Sequence, residues 1–228
     1  MKLGMSMGTK AKKNSEVTPY RDVQPPNPPW IPLEPSAGDK AVLYFYYSDP
    51  LSDIPVREVS HKQDPKPDPN LETLTFGLFS TCARGMRASI VRQRIELLFF
   101  CTNRSGIRVL TGYYRVGWYY KVPHSQPDDY MLTAKEARFV APGFPMRDLR
   151  EYLHGVQLDS RFRTFRYTDG ETAERLLLLL KDTPDATSEY VSEIRRLEQW
   201  SLDEYGHVYV NRSRGFSWED AAKPMRLQ

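Results

Sequence analysis

Apolar and polar positions divide the chain into three regimes. From 1 to 38 the apolar residues are scattered among seven prolines (Pro19, Pro25, Pro26, Pro28, Pro29, Pro32, Pro35). Adjacent prolines favour an extended backbone without a hydrogen-bond ladder, so this segment predicts a tail, with Trp30 and Ile31 as its anchor on the domain. From 39 to 167 short apolar runs alternate with turn residues, which predicts strands. From 168 onward the apolar spacing changes to three and four, which predicts helices.

The strand region opens with Ala41 to Tyr47, a run of β-formers. A loop rich in Pro and Asp follows at 48–70. His61, Asp64 and Asp68 lie in it, but their spacing matches no metal-ligand pattern and they read as solvated loop. Leu74 to Ser80 predicts a second strand with Gly77 as a bulge. Thr81 to Gln93 predicts a helix, with Cys82, Met86 and Ile90 on one face and Arg84 and Arg87 on another. Ile95 to Cys101 is nearly all apolar, as in a strand buried on both faces. Thr102 to Gly106 is a five-residue hairpin connection, and Ile107 to Lys121 is the return strand. That strand is long enough to need bends, for which Gly112 and Gly117 are the sites. Tyr130 to Val140 is a further strand closed by Pro142 and Pro145. Met146 to Leu153 is a short helix with Gly155 at its end, and Phe162 to Tyr167 is a last strand.

In the final third, Thr168 and Glu171 fit a capping box that starts a helix running to about Lys181. Leu176 to Leu180 covers every face of it, so it is either buried or shared with a partner. Thr183-Pro184 opens a second helix whose stripe is Tyr190, Val191, Ile194, Leu197 and Trp200. The expectation is an antiparallel helical pair. A homodimer through 168–200 is the partner reading that pair offers. Gly206 to Val210 reads as an edge strand.

Composition narrows the class. The chain has 228 residues, with 40% hydrophobic and 27% charged, enough for a packed core. Net charge is only +3, but residues 71–121 carry eight Lys/Arg against two acids, and seven of the eight are Arg. Two cysteines form no disulfide framework, no secretory segment is visible, and no apolar run is long enough to span a membrane. The setting expected is cytoplasmic (intracellular), with no membrane partner. No phosphate-binding loop, dinucleotide fingerprint or metal-protease motif occurs. The four histidines (His61, His124, His154, His207) are scattered. Glu96, alone among apolar neighbours, reads as one half of a structural ion pair. No catalytic residue, metal or cofactor is expected, and a binding protein is favoured over an enzyme. A nucleotide-acting enzyme using Glu96 and a histidine is the lowest-ranked reading.

The chemistry available for binding lies in the return strand. Tyr113, Tyr114, Trp118, Tyr119 and Tyr120 fall within eight residues, with Arg115 among them and Lys121 after. Aromatic faces stack on unpaired bases and arginines hold phosphate. Simple alternation puts Tyr114, Trp118 and Tyr120 on one face and Tyr113 and Tyr119 on the other. One set is core and the other is available; the pattern does not choose. The candidate nucleic-acid-binding residues are therefore Arg84, Arg87, Tyr113, Tyr114, Arg115, Trp118, Tyr120 and Lys121. The two helix arginines and Arg115 would hold phosphate.

The strand ending LLFF, a turn and TGYYRVGWYYK resembles the central hairpin of PUA-like domains of the EVE, ASCH and YTH group. The matching stretches are Ile95 to Phe100 and Leu110 to Tyr120, with Gly112 and Val116 in the family's positions. Arg92-Gln93-Arg94 stands where the family carries Gly-Asp. The resemblance implies an α+β fold: a small mixed β-barrel at 39–167 with flanking helices, preceded by a tail (1–38) and followed by a helical extension (168–228). It also implies a protein that binds RNA or DNA, with recognition of a modified base in an aromatic pocket. The alternative from another class is a scaffold protein dimerising through the leucine-rich helices.

Overall fold

The computed structural model describes residues 30–36, 40–60, 68–71, 74–77, 84–122, 127–153 and 165–206. His61, Asp64, Cys82, His124, His154, Gly155, His207 and most of the proline-rich segment lie outside them, as does the edge strand expected after Gly206. The fold is α+β. Its strands are β1 (Ile31–Pro32), β2 (Lys40–Phe45), β3 (Thr75–Phe76), β4 (Leu97–Arg104), β5 (Ile107–Lys121), β6 (Tyr130–Pro145) and β7 (Phe165–Asp169). Its helices are α1 (Arg84–Gln93), α2 (Gly170–Asp182) and α3 (Thr187–Tyr205), with a 3-10 turn at Met146–Leu149. The strands make one mixed seven-stranded sheet in the order β3-β6-β5-β4-β2-β7, with β1 added alongside β5. β2 and β4 are parallel and the other pairings are antiparallel. The sheet is open between β3 and β7.

β2 and the first five residues of β4 are nearly all apolar because both sheet faces are covered. One core contains Tyr44, Leu98, Phe100, Tyr114, Phe139, Met86 and Ile90, with Tyr190, Ile194 and Leu197 of α3. The other contains Leu43, Phe99, Leu110, Tyr113, Met146 and Leu149, with Leu176 and Leu180 of α2. Phe100 is the hub of the first: its ring centroid lies 4.8 Å from Tyr114 and 5.5 Å from Phe139. Each such aromatic pair adds about 0.5–1.5 kcal/mol beyond area burial.

The two C-terminal helices are therefore not an antiparallel pair. α2 packs on one face of the sheet and α3 on the other, because a sheet apolar on both sides needs both covered. Their connection crosses β6, where the Ala186 N–H donates to the Phe139 carbonyl at 2.8 Å and the Thr187 hydroxyl accepts from the Phe139 N–H at 2.9 Å. The cap of α2 is Asp169, which accepts from the Thr172 N–H at 2.7 Å, one residue later than the capping box suggested; Thr168 is the last but one residue of β7. α3 starts at Thr187 rather than at Pro184, with Asp185 accepting from the Thr187 N–H at 2.9 Å. α3 is further locked by a buried pair, Arg57 and Glu198, at 3.4 Å; removing one partner of such a pair leaves an uncompensated charge.

The hairpin is tighter than the sequence implies. β4 continues to Arg104, and only Ser105 and Gly106 turn the chain. Both have positive φ, 50° and 80°, as a two-residue hairpin of this hand requires. β5 covers the expected range and its pairing with β6 shifts register after Leu110, Arg115 and Val116. Two of those irregularities involve the glycines expected to bend it. A Cβ on Gly112 would lie 2.3 Å from the Arg138 carbonyl oxygen, and one on Gly117 would lie 2.9 Å from Lys135 Cβ. β6 runs on through Pro142 to Pro145, and the following helix is a single 3-10 turn.

Candidate nucleic-acid interface

The bulges decide which rings of β5 face where. Tyr114 and Val116 belong to the α3-side core, and Tyr119 packs against that core too. Tyr113 belongs to the α2-side core. Because Val116 pairs with Ala134 and Trp118 with Thr133, Gly117 on β5 is an extra residue. A bulge of this kind reverses the alternation beyond it. Trp118 and Tyr120 consequently join the face of Tyr113 and Arg115, not the face of Tyr114.

The candidate residues separate into buried and accessible groups. Tyr113 is fully buried, and its hydroxyl donates to Glu136 Oε1. Burial first, then that carboxylate, pushes the Tyr113 hydroxyl well above the ordinary range. Tyr114 is 1% exposed and donates to the Asn70 carbonyl at 2.5 Å. Neither ring has a face for a base, because each fills a core that the sheet had to close. Arg87 is 1% exposed, and its guanidinium holds Asp129 through contacts of 2.7, 2.8 and 2.9 Å. Arg84 Nε reaches the same carboxylate at 3.1 Å. The expected phosphate site on α1 is thus already occupied by an internal anion; a buried guanidinium has to be paired. Tyr120 is 8% exposed, with its ring 6.1 Å edge-on from Trp30.

Trp118, Arg115 and Lys121 retain exposure. Trp118 is 38% exposed. Beside it, β1 pairs Pro32 with Trp118 and Ile31 with Tyr119, so the expected anchoring of the tail falls against this edge. The Leu33 N–H donates to the Gly117 carbonyl at 2.8 Å. Lys121 is paired with Asp128 at 2.8 Å, a solvent-exposed contact. Arg115 sits in a chain of alternating charge. Its Nη1 meets Glu96 Oε2 at 2.7 Å and its Nε meets Glu136 Oε2 at 3.0 Å. Lys135 Nζ meets Glu96 Oε1 at 2.6 Å, and Lys181 Nζ meets Glu136 Oε1 at 3.4 Å. Burial alone would raise the Glu136 carboxyl, but hydrogen bonds from Tyr113 and Arg115 and the Lys181 charge outweigh it and hold it below its usual value. Lys135 can cross the strand to Glu96 because Gly117 has no side chain there. Glu96 is therefore the ion-pair partner its sequence context suggests.

Arg115 and Glu96 open onto a cleft of about 600 Å³ between the sheet and α2. Lys40, Arg94 and Glu174 share its lining, with Ala173 and Leu177 as its apolar wall. The volume is in the range of small-ligand sites. A wall that offers guanidinium donors and carboxylate acceptors side by side suits the polar edge of a heteroaromatic ring better than a bare phosphate. Lys40, Arg94, Lys135, Glu136 and Lys181 carry no motif, since only tertiary contact brings them to Arg115. Among the described residues no group of three His, Cys, Asp or Glu could hold a metal ion, and no helix is long and apolar enough to cross a membrane.

No protein-family model, curated protein or solved structure matches this chain.

Proposed function

We propose that the protein binds nucleic acid, or a modified nucleotide within it, on the sheet face at the far end of β5. The observation that carries this reading is Trp118: a large aromatic ring, 38% exposed, on the same sheet face as Arg115. Stacking of one base on such a ring is worth about 1–3 kcal/mol. Arg115, with Glu96 and Glu136 beside it, offers donors and acceptors for a base edge. The PUA-like barrel belongs to the same proposal: a mixed sheet in which β5 and β6 are bulged repeatedly is the material from which small barrels bend. A reducing intracellular setting is part of it as well, consistent with Cys101 being a buried free thiol.

Trp118→Ala is expected to weaken binding of a labelled single-stranded oligonucleotide by about 10- to 100-fold, with unfolding little changed. Unaltered affinity in a folded Trp118→Ala protein removes the stacking role. The rival reading, a homodimer through 168–200, has one exposed leucine behind it. Leu178 is 53% exposed, whereas Leu176 and Leu180 are buried in the chain's own core. Sedimentation equilibrium separates the two: a dimer that ignores oligonucleotides at low salt favours the rival.

A further inference from the structure

The cleft beside Arg115 holds charges that the ion-pair chain around Arg115 leaves unused. Both Glu96 oxygens are taken, one by Arg115 at 2.7 Å and one by Lys135 at 2.6 Å. Arg115 is divided between Glu96 and Glu136. Lys40, Arg94 and Glu174 line the same cleft, and none of these side chains makes an ion pair or hydrogen bond with a described residue. The sheet register brings the cations to one level. β2 runs parallel to β4 with Ala41 beside Leu97, so Lys40 enters the sheet level with Glu96, and Leu97 in turn pairs with Arg115. Glu174 belongs to the opposite wall, on α2.

Arg94 is held there by a strained backbone. It follows the last residue of α1 with a φ of 55°, a left-handed conformation that falls most often to glycine or asparagine. Three hydrogen bonds fix the turn. The Ile95 N–H donates to the Ile90 carbonyl at 3.0 Å, and the Ser36 N–H donates to the Arg94 carbonyl at 3.3 Å. The Ser36 hydroxyl donates to the Gln93 carbonyl at 3.3 Å, which ties the segment before β2 over the end of α1. A glycine would make this turn with less strain. An arginine here contributes nothing local that explains it, and such outliers are found where a side chain serves a site.

We propose that the cleft takes a guanine nucleotide, with Lys40 and Arg94 on its phosphate and Glu174 on the edge of its base. The proposal rests on the nucleic-acid reading given above and names the base taken at that site. Lysine and arginine supply the point charge and the planar fork that phosphate oxygens accept. A carboxylate only accepts, so it selects a base edge with adjacent N–H donors. Guanine presents N1–H and the N2 amino group side by side, a charge-assisted match of two bonds. Adenine and cytosine set an acceptor lone pair beside their amino group, and uracil flanks its one N–H with carbonyl oxygens. Each of those three meets a carboxylate with one bond and a repulsion. Ile95, Ala173 and Leu177 offer apolar surface to the ring.

The test is isothermal titration calorimetry of the full chain with the 5′-monophosphates of guanosine, adenosine, cytidine and uridine, beside anisotropy with labelled single-stranded oligonucleotides with and without guanine. Guanosine monophosphate is expected to bind about tenfold tighter than the other three, or more. Glu174→Gln should remove that preference. Glu189→Gln, an exposed acid on α3 at the other sheet face, is the control and should keep it. Arg94→Gly should weaken every nucleotide about tenfold while the urea midpoint holds or rises. A lowered midpoint would mean that Arg94 serves the fold and not the cleft. Equal affinity for the four nucleotides would mean that phosphate alone is read, and the guanine assignment falls. If no mononucleotide binds and the oligonucleotides bind in a Trp118-dependent way, the cleft falls and the Trp118 reading stands. A chain that binds neither overturns both. A guanine-containing oligonucleotide held more tightly than the monophosphate, with the same dependence on Glu174, places the nucleotide within a strand; the reverse order makes the free nucleotide the ligand.

Discussion

Arg84 and Arg87 stand on a helix beside the sheet, and Arg147 and Arg150 stand on a 3-10 turn beside the same sheet. In sequence the pairs look alike: two arginines three residues apart, next to a strand. Their fates differ because of what the fold brings to each. Asp129, 42 residues from Arg87, arrives at the α1 pair and takes all three short guanidinium contacts. Among the described residues no buried carboxylate meets Arg147 or Arg150; Asp148, 3.4 Å from Arg147, is itself exposed. One pair ties α1 to the start of β6; the other faces solvent with its charge available. Local sequence identifies a cation, but its role follows from the counter-ion that the tertiary structure supplies or withholds.

The comparison is sharpest in stability. Arg87→Ala leaves Asp129 buried without its main partner and should cost about 3–5 kcal/mol in urea unfolding. Arg147→Ala and Arg150→Ala should each stay within about 0.5 kcal/mol. Equal losses at the two places would erase the distinction.

Asp68 probes the same internal cluster through pH. Burial pushes its carboxyl from 3.8 up to about 6, although the Gly77 N–H at 2.9 Å and the charges of Arg87 and Arg57 pull the other way. Between those values the native state holds more protons than the unfolded chain, so stability falls as pH rises from about 4 to about 6 and stays lower above that. Asp68→Asn removes the ionisation and should stabilise the protein at pH 7.5 by up to about 3 kcal/mol. It should also flatten the acid-side profile in denaturant titrations at several pH values. An unchanged slope between pH 4 and 6 would mean that the carboxyl is not held in the interior as described.

Glu136 gives the smallest effect. It restrains Arg115 at 3.0 Å, whereas among the described residues no buried carboxylate meets Arg147. Glu136→Gln should release Arg115 toward phosphate and raise oligonucleotide affinity about two- to fivefold, the worth of a partly exposed ion pair. Weaker binding instead would mean that Glu136 itself accepts from the ligand.

Much of the fold was legible along the chain. Ile107–Lys121 is marked at both ends by its turn and by loss of β-formers, and α2 and α3 are marked by spacing and end signals. The shorter errors have local causes. The hairpin connection read as five residues because Thr102 and Asn103 are polar, yet Thr102 is buried and its hydroxyl donates to the Tyr46 carbonyl at 2.8 Å. α3 begins after Pro184 because Asp185 supplies a better end than Thr183. The candidate site was legible only as a composition of rings and arginines.

What the sequence determined by itself was the α+β class, most of the elements, the glycines that bend β5, and the coincidence of aromatic and basic residues on that strand. These follow from short-range rules of spacing, turn chemistry and side-chain size. The tertiary structure alone decided which rings remain exposed. Alternation assigns Trp118 to the face of Tyr114, but one extra residue at Gly117 moves it to the other, and the glycine there leaves room for Lys135 of the neighbouring strand. It also decided that α2 and α3 cover opposite faces, and that Asp129 neutralises one arginine pair and not the other. Those outcomes depend on pairings between residues far apart in the chain, and no local pattern encodes them.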